Sequence, residues 1–169
     1  MERTAIGKLR EHIGQTVKIN GWLHTLRDQK KMQFLVLRDL TGMVQVVFEK
    51  NNDPELAARI STLNQDSALT ITGTVVDAPQ VKLGGLEMTL TCLKVESAAE
   101  APLPFDPSAE TLPTLDFRLD WRFLDLRRPY NALMFQVQTT MEAAMREFWV
   151  RNDFIEIQTP KLMGRAESW

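Results

Sequence analysis

One cysteine, two histidines and a single tyrosine stand among 169 residues. Cys92 has no partner for an intrachain disulfide, which suits a reducing cytosol, and its place in "MTLTCLKV" predicts a buried strand thiol. One cysteine and two isolated histidines cannot supply the four ligands of a structural zinc site, so no metal is expected. No apolar run approaches the eighteen or so residues that a membrane span needs. The N-terminal "MERTAIGKLREHIGQ" lacks the apolar centre of a secretory signal. The glycine patterns of nucleotide enzymes are missing too: there is no GxGxxG, and no GxxxxGK followed by Ser or Thr. HExxH and GxSxG are absent as well. Net charge is only −2, so nucleic-acid binding has to come from local patches. That counts against a nonspecific DNA-coating protein and leaves a specific RNA reader open.

What is present is a run of β-like segments. "TVKINGWLHTL" alternates, with Val17, Ile19 and Leu23 on one side and Trp22 and His24 on the other. "MQFLVLRD" and "MVQVVFE" follow, joined by a turn at Leu40-Thr41-Gly42. Asp53-Pro54 opens a short helix, with Asp as N-cap and Pro at the first helical position. "ALTITGTVVDA" and "LEMTLTCLKVES" complete five strands, separated by "PQVKLGG". Three strands, a helix and two strands is the order of a five-stranded OB-fold barrel, which commonly binds oligonucleotides across its second and third strands. A small meander of another topology is the alternative.

Four of the eight prolines fall within "SAAEAPLPFDPSAETLPTL", residues 97–115, which reads as a semi-extended linker. Beyond it "DFRLDWRFLDLRRP" is dense in arginine and aromatics, and its Arg118, Arg122, Arg127 and Arg128 alternate with Asp116, Asp120 and Asp125 as an ion-paired strap. From Pro129 a helix is expected, with Leu133, Val137, Met141, Met145 (or Ala144) and Phe148 on one stripe. "FIEIQTPKLM" then reads as extended. The class is mainly β with α. One helix and one strand cannot bury a core of their own, so the second piece needs a neighbour.

Two residues point to RNA. If Leu35, Leu37, Val44 and Val46 face inward, Phe34 and Gln45 share the outer face of adjacent strands. An exposed aromatic can stack a base, and an amide beside it can read a base edge. Arg27, Lys30, Lys31, Arg38 and Lys82 are candidates for phosphate contacts. On spacing alone the simpler account makes Phe34 core and Gln45 plain surface. His24 has no nucleophile partner, so a catalytic role is not expected; it either bonds a base or caps a strand end in solvent. Gly84-Gly85 marks a ligand-touching loop or a hairpin turn.

The strings "NGWLHTLRD", "FLVLRDLTGMVQVV", "PLPFD", "RLDWRFLDLRRP" and "FIEIQTPKL" occur in one order. Together they resemble the aspartyl-tRNA synthetase family, class II enzymes with an N-terminal OB anticodon-binding domain. The resemblance implies an anticodon barrel over 1–97, a hinge over 98–128 and the start of a class II catalytic domain, truncated, over 129–169. It implies that Phe34 stacks the central anticodon base, that Gln45 bonds the anticodon, and that Arg27 joins them. His24 resembles the form that charges both tRNA(Asp) and tRNA(Asn); Gln80, near the other residue involved, matches neither form. "FIEIQTPKL", with Phe154 and Pro160, resembles motif 1, which builds a homodimer interface. Asp153 departs from the glycine usual before that Phe. Glu167 stands near a glutamate that holds the substrate amino group in the family, although the tail Arg165–Trp169 departs from its pattern. The family's reaction is ATP-dependent aspartylation of tRNA with magnesium in the cytoplasm. The ATP-binding arginines of motifs 2 and 3 are absent here, so this chain alone is expected to bind tRNA but neither cofactor, and not to catalyse. Neither a membrane nor DNA is an expected partner. Two alternatives stay open: a free-standing OB-fold RNA-binding module, and a fragment of an asparaginyl-tRNA synthetase.

Overall fold

The alternating segments form five strands: β1 (Thr16–Asp28), β2 (Met32–Arg38), β3 (Met43–Glu49), β4 (Ala68–Asp77) and β5 (Leu86–Ser97). The computed structural model describes residues 2–160. These divide into two compact units, with the boundary at Pro102/Leu103.

In the first unit the strands close into a barrel of order β1-β2-β3-β5-β4. All neighbours are antiparallel except β3 and β5, whose parallel pairing Gln45↔Glu87, Val46↔Met88 and Val47↔Thr89 completes the ring. The inward period-2 positions make the core: Ile19, Leu23, Leu35, Leu37, Val46, Ile71, Val75 and Met88 are fully buried. Closing the ring brings backbones tightly together at Gly21 and Gly73. A Cβ there would collide with the Arg38 and Thr89 carbonyls respectively.

Helix α1 (Pro54–Ser61) lies between β3 and β4, as the strand order requires. Asp53 caps it, Oδ1 accepting from Leu56 N at 2.9 Å, and Leu56, Ala57 and Ile60 cover one end of the core. Gln33, fully buried, fastens this helix to β2: Nε2 donates to Ala57 O and to Ser61 Oγ, each at 2.9 Å.

A 3-10 helix, Ile6–His12, which the hydrophobic pattern did not signal, buries Ile6 and Leu9. Asp39 ties it to the β2–β3 turn, its carboxylate accepting from the amides of Ile6, Thr41 and Gly42 at 2.7–3.1 Å. Burial alone would raise that carboxyl, but the donated hydrogen bonds win and hold it below the ordinary aspartate value.

Three register shifts interrupt the ladders, one of them at Ala68/Leu69 where β4 begins. In β1 the register passes from Leu23↔Leu37 to Thr25↔Val36, leaving His24 as the extra residue. In the β4–β5 ladder it passes from Thr72↔Cys92 to Gly73↔Leu90. Thr91 is the extra residue there, so Thr91 and Cys92 both face outward. This corrects the expected burial of Cys92, which is exposed.

The second unit contains α2 (Leu115–Asp120), α3 (Arg122–Asp125) and α4 (Pro129–Arg151). Within the expected arginine strap Arg118 forms a bidentate pair with Asp125, at 2.7 and 3.2 Å. The other arginines have different partners. Arg128 donates to the Pro107 and Ala109 carbonyls, while Arg122 and Arg127 lie over Phe135 and Phe123. The stripe on α4 forms as expected but stays more than half exposed at Leu133, Val137, Met141, Met145 and Phe148. Residues 154–160 take part in no sheet ladder among the described residues, because an isolated extended segment has no neighbour to pair with. Glu167 and the tail Arg165–Trp169 lie outside the described residues. No helix among the described residues is long and apolar enough to cross a membrane.

Candidate nucleic-acid interface

The bulge at His24 decides the composition of the outer face. Upstream of it, odd-numbered residues of β1 point inward; beyond it the phase inverts, so Leu26 packs on the core and Arg27 turns outward. Arg27 then lies in register with Phe34, and Val36 with Gln45. Phe34 and Gln45 are half-buried on this outer face, opposite in sense to the buried Leu35 and Val46. Phe34 is thus not core, which removes the simpler account of the spacing.

Three side chains converge. The Arg27 guanidinium lies 5.5 Å from the Phe34 ring centroid, within cation–π range. Its Nη2 donates to Gln45 Oε1 at 2.9 Å. The other end of the amide, Nε2, makes a long contact of 3.5 Å with Glu87 Oε2 on β5. The Gln45 amide is therefore oriented from both sides, its carbonyl toward a cation and its NH2 toward an anion.

Glu87 went unnoticed in the sequence reading. Leu86 and Met88 facing inward put Glu87 outward, but only the parallel β3–β5 closure sets it beside Gln45.

Around this centre the candidate cations separate. Lys30 and Lys31 sit exposed on the β1–β2 turn, and Lys82 is exposed on the β4–β5 loop. Arg38 is engaged elsewhere: it pairs with the buried carboxylate of Asp66 and lies 5.6 Å from the Trp22 ring centroid. With only 17% of its side chain exposed, it holds the α1–β4 connection to β2 and is withdrawn from the phosphate candidates. His24, half-buried at the bulge, neighbours the Val36–Gln45 pair across β2. Gln80 is exposed on the β4–β5 loop, which starts just past Asp77↔Leu86, one step from Glu87.

No group of three or more His, Cys, Asp or Glu that could hold a metal occurs among the described residues. The arrangement on the barrel sets an aromatic ring beside an oriented amide, with exposed cations on the neighbouring turn and loop.

Comparison with known proteins places both units. Residues 17–97 match the family of OB-fold nucleic acid binding domains, and residues 114–168 match the class II tRNA synthetases for D, K and N. An aspartate–tRNA(Asp) ligase of Thermococcus kodakarensis is 40% identical over 90% of this chain. An aspartate–tRNA(Asp/Asn) ligase of Methanospirillum hungatei is 37% identical over 89%. The chain spans 35% of the length of each. The asparaginyl-tRNA synthetase of Pyrococcus horikoshii superposes with a TM-score of 0.83 at 28% identity, over 95% of this chain and 37% of that one.

Proposed function

The chain belongs to the aspartyl-tRNA synthetase family of class II, matching its N-terminal portion, and on that premise we propose that its barrel reads a tRNA anticodon. One observation carries the reading: Arg27, Phe34 and Gln45, from three strands, meet on one outer face, with the amide already oriented. The central base would stack on Phe34, and the Gln45 amide with its donor and acceptor would meet that base's edge. Entry of the base would draw the Arg27 guanidinium off the ring toward base or phosphate. Lys30, Lys31 and Lys82 would hold the backbone without reading sequence. His24, and Gln80 on the adjacent loop, would set whether the tRNA(Asn) triplet GUU is accepted beside the tRNA(Asp) triplet GUC.

In the whole protein we place ATP-dependent aspartylation of tRNA in a cytoplasmic homodimer. Residues 1–97 would serve as the anticodon domain, 98–128 as hinge and 129–169 as the start of the catalytic domain. The segment carrying Phe154 and Pro160 would form part of the dimer interface. Aspartylation consumes ATP with magnesium on its phosphates. No chemical step is assigned to the described residues.

The likeness to an asparaginyl-tRNA synthetase supports a second reading, in which the parent charges asparagine. It is the weaker one, because the relatives at 37–40% sequence identity are aspartate ligases. Titration with labelled stem-loops bearing GUC, GUU and an unrelated anticodon tests the anticodon reading. The expected outcome is tight binding of GUC and GUU alike, the behaviour that His24 implies, and weak binding of the third. Binding of GUC alone would overturn the dual specificity and keep the family reading. Equal binding of all three, or of none, would overturn anticodon recognition by this barrel.

A further inference from the structure

The β4–β5 loop that carries Gln80 and Lys82 is held from outside the sheet. Its internal bonds are few: Val81 N donates to Ala78 O at 2.8 Å, Gly85 N to Val81 O at 3.0 Å, and Ala78 N to Gly85 O at 2.9 Å. Gly84 and Gly85 sit in left-handed conformations, with φ of +77° and +67°, which glycine populates freely. Left to itself such a loop has many conformations open to it.

Arg10, on the N-terminal 3-10 helix, reaches across to it and donates from Nη2 to the Gly84 carbonyl at 2.7 Å. The same guanidinium nitrogen lies 3.6 Å from where a side chain on Gly85 would begin, an ordinary packing distance that places Arg10 against both glycines. The 3-10 helix is itself a fixed base. Leu9, the residue before Arg10, is 1% exposed. Ile6 N is bonded by the Asp39 carboxylate at 3.0 Å, and Gly7 N donates to Thr41 Oγ1 at 2.8 Å. Past the helix, Gly14 N donates to Val75 O and Val75 N to Gln15 O, tying the same segment to β4 below the loop.

We propose that Arg10 is a positioning residue: a strut from the N-terminal 3-10 helix that fixes the β4–β5 loop, and through it Gln80 and Lys82, beside the Gln45–Glu87 end of the outer face. This rests on the anticodon reading above for its consequence, though not for its geometry. Arg10 touches no base; it acts through the loop. Its effect belongs to the choice among anticodons, because Phe34 and Gln45 are held by β2 and β3 without it.

The test uses the full chain carrying Arg10→Ala, with Arg10→Lys as the conservative variant that keeps a cationic donor. Hydrogen exchange without RNA is expected to quicken about tenfold at the Val81 and Gly85 amides in Arg10→Ala, with β-strand amides unchanged and Arg10→Lys closer to the parent. The ratio of GUC to GUU stem-loop affinities is expected to move by about fivefold from the parent's value. The loss on Phe34→Ala should be the same in either background. Unchanged exchange in the loop would overturn the strut. Faster exchange with an unchanged affinity ratio would overturn the positioning role. If the parent binds neither stem-loop, the anticodon reading itself fails, a result separable from the exchange rates.

Discussion

Phe34 owes its availability to the pleat: with Leu35 and Leu37 fully buried, the residue between β2's inward positions has to face out. Replacing it with alanine removes the stacking surface and leaves the barrel core untouched. Phe34→Ala is expected to cost roughly 1–3 kcal/mol of stem-loop binding, the worth of one stacked base. Fluorescence anisotropy with the GUC stem-loop checks this; unchanged affinity in a folded variant would remove the stacking role. Asp153 poses a different residue-scale problem. It sits at φ +63° just past α4, where Phe154 N donates to Trp149 O and Asp153 N to Val150 O, the Schellman pattern for ending a helix. The Trp149 and Phe154 rings, 4.9 Å apart, close the same motif. Glycine adopts this conformation without strain, which gives a physical reason for the glycine usual in the family at this position. Asp153→Gly is therefore expected to stabilise the helix end by about 0.5–1 kcal/mol. The readout is slower exchange of the Phe154 amide, and faster exchange would contradict it.

At the scale of elements, one carboxylate joins the N-terminal 3-10 helix to the β2–β3 turn. Asp39, with its side chain only 1% exposed, accepts from backbone donors on two separate segments. Its folded pKa lies below the ordinary value. Its contribution is therefore complete above the ordinary aspartate range and is lost as pH falls through the lowered value. Denaturation midpoints between about pH 5 and about pH 2 are expected to fall more steeply for the parent than for Asp39→Asn. Parallel curves would show that other carboxylates carry the acid sensitivity. The elements with local signals were legible in advance. Asp53-Pro54 announced α1 through a cap and a preset φ, and alternation announced each strand. Bulges carry no such mark. Nothing in "NGWLHTLRD" shows that His24 is the supernumerary residue, and nothing in "LTCLKV" shows that Thr91 and Cys92 share a side. The 3-10 helix was missed because its burial of Ile6 and Leu9 is too short a pattern to show a period.

For the whole molecule, net charge is too small to attract RNA at a distance. Binding should instead depend on a few exposed cations, Arg27, Lys30, Lys31 and Lys82. Affinity for the GUC stem-loop is expected to fall steeply as salt rises from about 50 to about 200 mM, with a log–log slope of roughly −0.7 per phosphate neutralised. A flat response would mean that those cations do not meet the backbone. The second unit shows the opposite balance. Its α4 keeps a row of large apolar side chains exposed, and the aromatic cluster of Phe148, Trp149 and Phe154 is open to solvent on the same stretch.

By itself the sequence determined the secondary-structure order, the inward and outward residues of β2 and β3, the cap of α1 and, through ordered strings, the family. Those properties are local: periodicity and turn chemistry act over a few residues. Only the tertiary structure decided that Arg27 faces Phe34, that Glu87 faces Gln45, that Arg38 is taken up by Asp66, and that Arg10 braces a loop 74 residues away. The first two depend on a phase shift or a strand pairing, and the last two on loops brought against distant segments by the closed barrel. The ring can close only when the bulges and the glycine contacts at positions 21 and 73 let five twisted strands meet.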